Sequence, residues 1–384
     1  MIHLGDITKI SGYEVPIVDC VIGGSPCQDL SIAGKRAGLA GERSGLYMEQ
    51  IRIIKEMRKQ DAERNRADGR ADHPVRPRYM VWENVPGAFS SNKGKDFAAV
   101  LEEAIRIAEP EAPDVPVPPK GWSNAGAILG DGWSIAWRTH DAQHWGVPQR
   151  RKRISLIADF GGRSAPEILF ECQSLPRNTQ QSGEERKRPS EGTQGSTSYA
   201  VGFDGYNQAV TGDVAKPLTN KATDSDHIPL AYGWYPQIKA ECITYTKEKS
   251  VTLVNGTNPG FQNGVFIRNA VRRLTPLECE RLQGFPDGWT DIGEWIDSKG
   301  KKHDSSDSAR YKALGNSIAL PFWIFLCKRI SAQYARKATM ASLFDGIGGF
   351  PLVWEEANGK GSAVWASEIE EFPIAVTKYY FGGD

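Results

Sequence analysis

Five short apolar runs, each closing on a glycine or a polar residue, constrain the fold of this chain more than any other feature. They are "IVDCVI" (17–22), "YMVWEN" (79–84), "RISLIAD" (153–159), "ASLFDG" (341–346) and "AVWASE" (363–368). Apolar runs of this length, bounded by turn residues, read as buried strands. Helical periodicity lies between them. Leu46, Ile51, Ile54 and Met57 share one face over 46–59, and further helices are expected over 96–108 and about 316–334. Strands alternating with helices predict an α/β fold, a mostly parallel sheet with helices on both faces.

The 384 residues leave room for two domains, and the 47 basic and 47 acidic residues cancel, so any nucleic-acid surface would have to be local. Six cysteines form no CxxC pair and no cluster with histidine at metal spacing. No metal and no disulfide framework is expected, and the usage fits a reducing cytoplasm. The start, "MIHLGDITKI", lacks the pattern of a signal peptide, and the longest apolar run, "IALPFWIFLC" (318–327), is too short to span a bilayer, so no membrane partner is expected. Three polar stretches interrupt the pattern: 60–78, the proline-rich 109–120, and 173–198. From 199 to 266, Gly, Asn, Thr and aromatics are scattered without helical period. The expected division is a first α/β part over 1–160, an irregular, β-leaning insert over 161–270, and a second α/β part over 271–384.

Several strand ends carry chemistry-bearing residues. "GGSPCQDLS" (23–31) puts Cys27 on a turn after a strand, either as a packed thiol or as a nucleophile. "VWENVPGAF" puts Glu83 and Asn84 at the end of another, and the carboxyl ends of strands are where ligands collect in open α/β sheets. In "HWGVPQRRKRISLIADF", strand alternation puts Arg151 and Arg153 on one face and Arg150 and Lys152 on the other. "SLFDGIGGF" (342–350) is a glycine-rich turn, and Glu368 follows about twenty residues on, the spacing at which an acid reaches the ribose of a nucleoside cofactor.

Together these segments resemble the DNA cytosine-5 methyltransferases. "SPCQDLS" is similar to the family's nucleophile loop, "ENV" to its base-binding acid, and "QRRKRI" to its Q-x-R-x-R segment. "RRLTPLECERLQGFPDGW" (272–289) resembles the block after the target-recognition domain, and "YKALGNSIALP" (311–321) the G-N-S cofactor block. "FDGIGGF" and the strand ending at Glu368 resemble the first two cofactor blocks, which open most members. Here the chain starts at the third, "HLGDI" with Asp6, and carries the first two near its other end. The resemblance therefore implies a circular permutation, with Met1 and Asp384 close in space. Termini that lie close at a surface make such a permutation tolerable.

The resemblance implies a Rossmann-like, S-adenosylmethionine-dependent methyltransferase sheet plus a target-recognition domain, acting on double-stranded DNA. Cys27 would add to carbon 6 of a flipped cytosine and Glu83 would stabilise charge at N3. Asn84 would orient that carboxyl, and Arg151 and Arg153 would meet the cytosine carbonyl, the Glu or a phosphate. Residues 28–46, with Lys35, Arg36 and Arg43, would close over the base. The cofactor pocket would draw on Phe344, Asp345, Gly346, Gly348, Gly349, Glu368, Ile369, Asp6, Ile7, Ser25, Pro26, Leu46, Asn316, Ser317 and Ile318; for Phe344, Leu46 and Ile318 core packing is the competing reading. Asn207, Gln208, Asn220 and Lys221 are candidates for base reading. The protein is expected to be a cytoplasmic monomer, with a cognate restriction endonuclease as a further candidate partner. Rival readings are an RNA (tRNA) cytosine-5 methyltransferase, a non-catalytic DNA-binding relic, and a cysteine hydrolase using His140 or His144.

Overall fold

The computed structural model of the chain describes residues 1–25, 45–170, 203–204, 209–210, 264–267 and 270–382. In chain order the strands are β1 (Ile2–His3), β2 (Cys20–Gly23), β3 (Tyr79–Asn84), β4 (Ala125–Leu129), β5 (Ser134–Asp141), β6 (Lys152–Asp159), β7 (Phe203–Asp204), β8 (Ala209–Val210), β9 (Gly264–Ile267), β10 (Ala270–Arg273), β11 (Glu294–Ile296), β12 (Lys302–Asp304), β13 (Met340–Leu343) and β14 (Ala363–Ser367). The helices are α1 (Gly45–Ala67), α2 (Lys95–Ala108), α3 (Ala165–Leu169), α4 (Pro276–Gln283), α5 (Asp307–Asn316), α6 (Leu320–Ser331), α7 (Gly349–Asn358) and α8 (Glu371–Phe381).

One eight-stranded sheet runs β1-β14-β13-β2-β3-β6-β5-β4. The five strands from β1 to β3 are mutually parallel, and β6, β5 and β4 follow antiparallel. Alternation along the central strands sends side chains to two apolar layers. Cys20, Ile22, Tyr79 and Val81 pack with α3, α4, α6 and α7, whereas Val21, Met80, Trp82 and Leu343 pack with α1 and α2. The expected α/β architecture is therefore present, with helices on both faces.

Three details depart from the sequence reading. Helix α1 continues to Ala67, through residues expected to be an interruption. The buried Asp61 carboxylate accepts from the Arg76 backbone N–H at 2.9 Å and from its guanidinium, tying that polar end to the chain that returns to β3. The helix expected over about 316–334 is two: α5 ends at Asn316 and α6 starts at Leu320 with Pro321 in its first turn, where proline's missing N–H costs nothing. Helix α3 lies beyond the expected division at 160, yet Ala165, Ile168 and Leu169 are buried in the first layer.

The chain order is that of a permuted sheet. Strands β13 and β14, near one end of the sequence, lie between β1 and β2 from the other. The backbone nitrogen of Met1 donates to Phe381 O at 2.5 Å, and His3 Nε2 lies 3.0 Å from Thr377 Oγ1. Asp384 itself lies outside the described residues. The segment leading from α6 into β13 is pinned by Asp19, which is fully buried and accepts two bonds from the Arg336 guanidinium (2.6 and 2.7 Å) and one from Thr339 N at 2.8 Å.

Burial pushes the Asp19 carboxyl up, but Arg336 and Thr339 outweigh it and hold it below the usual carboxylate value. A depressed acid stabilises the fold above its unfolded pKa, and the contribution is lost as pH falls through the folded value. Arg336→Ala is expected to cost about 1–3 kcal/mol at pH 7, because Asp19 loses its charged partner. Urea denaturation should show this difference shrinking below pH 4 (roughly the unfolded Asp value). An equal loss at pH 7 and pH 3 would contradict the pairing.

Candidate active site

Strand register builds the site. In the parallel ladder Gly23 of β2 stands opposite Leu343 of β13 and Trp82 of β3, and Leu343 opposite Ser367 of β14. The residues one step further on, Gly24, Phe344, Glu83 and Glu368, therefore stand at the same level, Glu83 still within β3 and paired with Ser155 of β6.

Glu83 packs against the chain leaving β2. A Cβ on Gly24 would stand 3.0 Å from Glu83 Oε2, a tight contact that the carboxylate would have to shift to admit. Its Oε1 meets Arg153 Nε at 2.8 Å, and both side chains are mostly buried. Asn84 behaves differently from expectation. Its Nδ2 donates to Ser25 O (3.3 Å) and its Oδ1 accepts from Val85 N (2.8 Å), while Trp82 Nε1 donates to Ser25 Oγ at 2.9 Å. Adjacent residues of a strand point to opposite faces. Glu83 thus faces Gly24 and Arg153, and Asn84 holds the root of the following turn instead of orienting the carboxyl. Cys27, Pro26 and residues 28–44 lie outside the described residues.

Arg151 lies one residue before β6, which begins at Lys152; it and Arg153 are turned inward and Lys152 is exposed, as the alternation predicts. Arg151 is buried and its guanidinium donates to Ser317 O, bonding the Q-x-R-x-R segment to the G-N-S block. Arg150 stands 3.8 Å from Asp141.

A second group of residues surrounds the turn after β13. Phe344 adopts φ +56°, a left-handed conformation unfavourable for a residue with a Cβ, and Gly346 and Gly348 follow at +57° and +78°. Open space surrounds the missing Cβ of Gly346, whereas one on Gly348 would meet Thr377 and Phe381 at 2.9 Å. Glu368 braces this turn: Oε2 accepts from Gly346 N (2.7 Å) and Oε1 from Ile369 N and Glu370 N (2.7 and 2.9 Å). Ile369 beside it is 71% exposed. Asp345 is buried, with Ser342 Oγ donating to Oδ1 at 2.5 Å.

The remaining candidates divide. Asp6 is occupied locally: Oδ1 accepts from Thr8 N (3.0 Å) and Thr8 Oγ1 (2.8 Å), capping the turn Ile7–Lys9. Ile7 is buried in the second apolar layer, against which Leu46 and Phe344 pack partly exposed. Ile318 belongs to the first layer and bears on Gly349, whose added Cβ would stand 2.9 Å from it. Core packing, the competing reading, thus describes Ile318, and it accounts for part of Leu46 and Phe344. Asn316 closes α5, and Ser317 follows it, buried. Asn207, Gln208, Asn220 and Lys221 lie outside the described residues.

Three groups here were not anticipated. Gln50 of α1 is buried, donates to Val81 O (3.2 Å), and stands where a Cβ on Gly23 would be. Trp289 donates to Ile347 O at 2.8 Å and stacks on Tyr380 with centroids 3.8 Å apart, buttressing the glycine-rich turn from behind. Ser298 N donates to Glu371 at 3.1 Å and Lys312 bonds Glu370 at 2.6 Å, fastening the turn after Glu368 to the β11–β12 hairpin and to α5. Gln50 and Trp289 each sit in a helix or block already noted, but their partners are more than thirty residues away. His140, the hydrolase candidate, stacks on Phe322 (centroids 3.6 Å apart), lies 3.1 Å from Ser155, and burial pushes its pKa well down. It is a packed histidine of the core.

The profile of C-5 cytosine-specific DNA methylase matches residues 1–107 and 128–332. Among curated relatives, a DNA N-6-adenine-methyltransferase of Escherichia phage P1 is 26% identical, over 87% of this chain and 56% of its own length. The type II methyltransferase M.BsuFI of Bacillus subtilis is 24% identical, over 83% of this chain and 58% of its own. The type II methyltransferase M2.BsuMI of Bacillus subtilis (strain 168) is 27% identical, over 97% and 72%. The chain thus spans somewhat more than half the length of the first two. Among the described residues, no helix is long and apolar enough to cross a membrane.

Removing the Asn84 amide leaves Ser25 O and Val85 N–H short of their partners in a buried corner. Asn84→Ala is expected to destabilise the fold by about 1–3 kcal/mol in urea titration. A change within ±0.3 kcal/mol (roughly that of a neutral surface substitution) would remove Asn84 from the role of anchor.

Proposed function

Because the chain belongs to the C-5 cytosine-specific DNA methylase family, we propose that it methylates carbon 5 of cytosine in double-stranded DNA, using S-adenosylmethionine. The observation that carries the reading is the Glu83–Arg153 pair packed on Gly24, three residues before Cys27 and level with the glycine-rich turn.

The residues around that turn fit the cofactor. Gly346 leaves a cradle open at its Cα, Glu368 ends the neighbouring strand as a ribose-binding acid would, and Ile369 offers an uncovered apolar face to a base. Bound there, S-adenosylmethionine supplies an electrophilic methyl group. Phe344 and Ile369 would hold its adenine, Gly346 and Gly348 would admit the chain beyond the ribose, and Arg151 would keep the Asn316–Ile318 segment against the opposite side through Ser317.

Carbon 5 of cytosine is a weak nucleophile until the ring's aromaticity is broken. The thiolate of Cys27 would add at carbon 6, which requires a thiol and not a hydroxyl. Glu83, as a carboxylic acid or sharing a proton with the ring, would face N3, where negative charge gathers, with Arg153 holding its carboxyl in place. After transfer a base removes the carbon 5 proton and Cys27 leaves. A paired cytosine cannot reach such a cleft, so the base would be flipped out at a cost of a few kcal/mol. The segment after α3, up to about residue 270 and set between the two α/β parts, would read the target, α3 itself being packed on the sheet. A cognate endonuclease would fit, since two of the relatives above are type II methyltransferases.

The test is incubation with S-adenosylmethionine and unmethylated duplex DNA, followed by base-resolution sequencing. The expected product is 5-methylcytosine at one short motif. Cys27→Ser should abolish it, and Glu83→Gln and Arg153→Ala should each lower kcat about 10²–10⁴-fold. N6-methyladenine formed equally by Cys27→Ser, or methyl transfer to tRNA alone, would overturn the reading.

A further inference from the structure

The carboxyl of Asp345 is buried at the foot of the glycine-rich turn. Ser342 Oγ donates to Oδ1, and Oδ2 has no partner. A buried carboxylate ordinarily gathers two or three donors or an adjacent cation. Among the described residues Asp345 has neither. From β13 the facing group is Ser342. From the end of β14 it is Glu368, whose charge has the wrong sign, and α7 has no acidic or basic side chain in its first turn. Burial pushes the Asp345 carboxyl up to about 8; the Ser342 hydrogen bond pulls the other way, and Glu368 adds to the rise.

We propose that Asp345 keeps its proton in the free pocket and releases it to solvent when the cationic S-adenosylmethionine binds. The proposal rests on the cofactor reading above. The O–H bond of the carboxyl breaks, its electron pair stays on the carboxylate, and the proton passes to water or buffer. The buried carboxylate is then compensated by the positive charge of the bound ligand, which the protein alone does not supply. Binding and ionisation are thereby linked, and affinity rises with pH until the carboxyl is already ionised in the free protein.

Calorimetry separates this from binding itself. S-adenosylmethionine is titrated into the full chain at pH 7 in phosphate and in Tris, whose heats of protonation differ. The wild-type protein is expected to release up to about one proton per ligand bound, and its Kd to fall by up to about tenfold per unit between pH 6 and 7. Asp345→Asn keeps the shape and has no proton to lose. It should melt no lower than wild type and show about the same binding heat in both buffers. Equal heats in both buffers for the wild type would overturn the proposal and leave the cofactor reading standing. Equal proton release by wild type and Asp345→Asn would assign the proton elsewhere and overturn it too. No binding of S-adenosylmethionine at all would overturn both. Should Asp345→Asn fail to fold, the wild-type buffer pair and the pH dependence of Kd decide alone.

Discussion

Leu343 of β13 stands opposite Gly23 of β2 on one side and Ser367 of β14 on the other, and Gly23 stands opposite Trp82 of β3. Everything at the site depends on this row of pairings. Because side chains alternate with a period of two, a slip of one residue in any ladder would turn Glu83 or Glu368 to the wrong face. A slip of two would keep the face but move the residue several ångströms along the strand. Burial enforces the register, since Ile22, Val81 and Met340 face one apolar layer and Val21, Trp82 and Leu343 the other. The packing of two hydrophobic layers thus sets the spacing of polar groups that take little part in it.

Two carboxyl groups emerge near this row in opposite circumstances. Glu83 has a guanidinium at 2.8 Å, whereas Asp345 has a serine hydroxyl and a like charge nearby. The arrangement costs stability at Asp345 and at the left-handed Phe344, and both sit in the turn that the cofactor reading assigns to ligand binding.

Most of the sheet was legible in the sequence because its strands are short apolar runs ending in turns. Tyr79–Asn84 matches the expected run from end to end, and β2, β6, β13 and β14 differ from theirs by a few residues at their ends, whereas β1, β4 and β5 lie outside the runs read as strands. What escaped has physical reasons. The 60–67 stretch is poor in apolar residues, but Gln, Glu, Arg and Ala are good helix formers, and a helix ends at a breaker, not where its apolar face runs out. Asn84 was assigned to its sequence neighbour although strand alternation already set the two apart. The contacts of Gln50 and Trp289 depend on how helices settle on the sheet, which local pattern does not encode.

The interposed strands β13 and β14 have a consequence for how the chain comes into being. During synthesis β1 and β2 leave the ribosome before β13 and β14, with a gap between them as wide as two strands. Domains normally begin to fold as they emerge. Here β2 can pair with β3, but its other edge stays unpaired, and β1 has no partner, until residue 367 has been made. Exposed strand edges recruit whatever strand is near. The nascent chain therefore carries a vacant slot between β1 and β2 until β13 and β14 have been made.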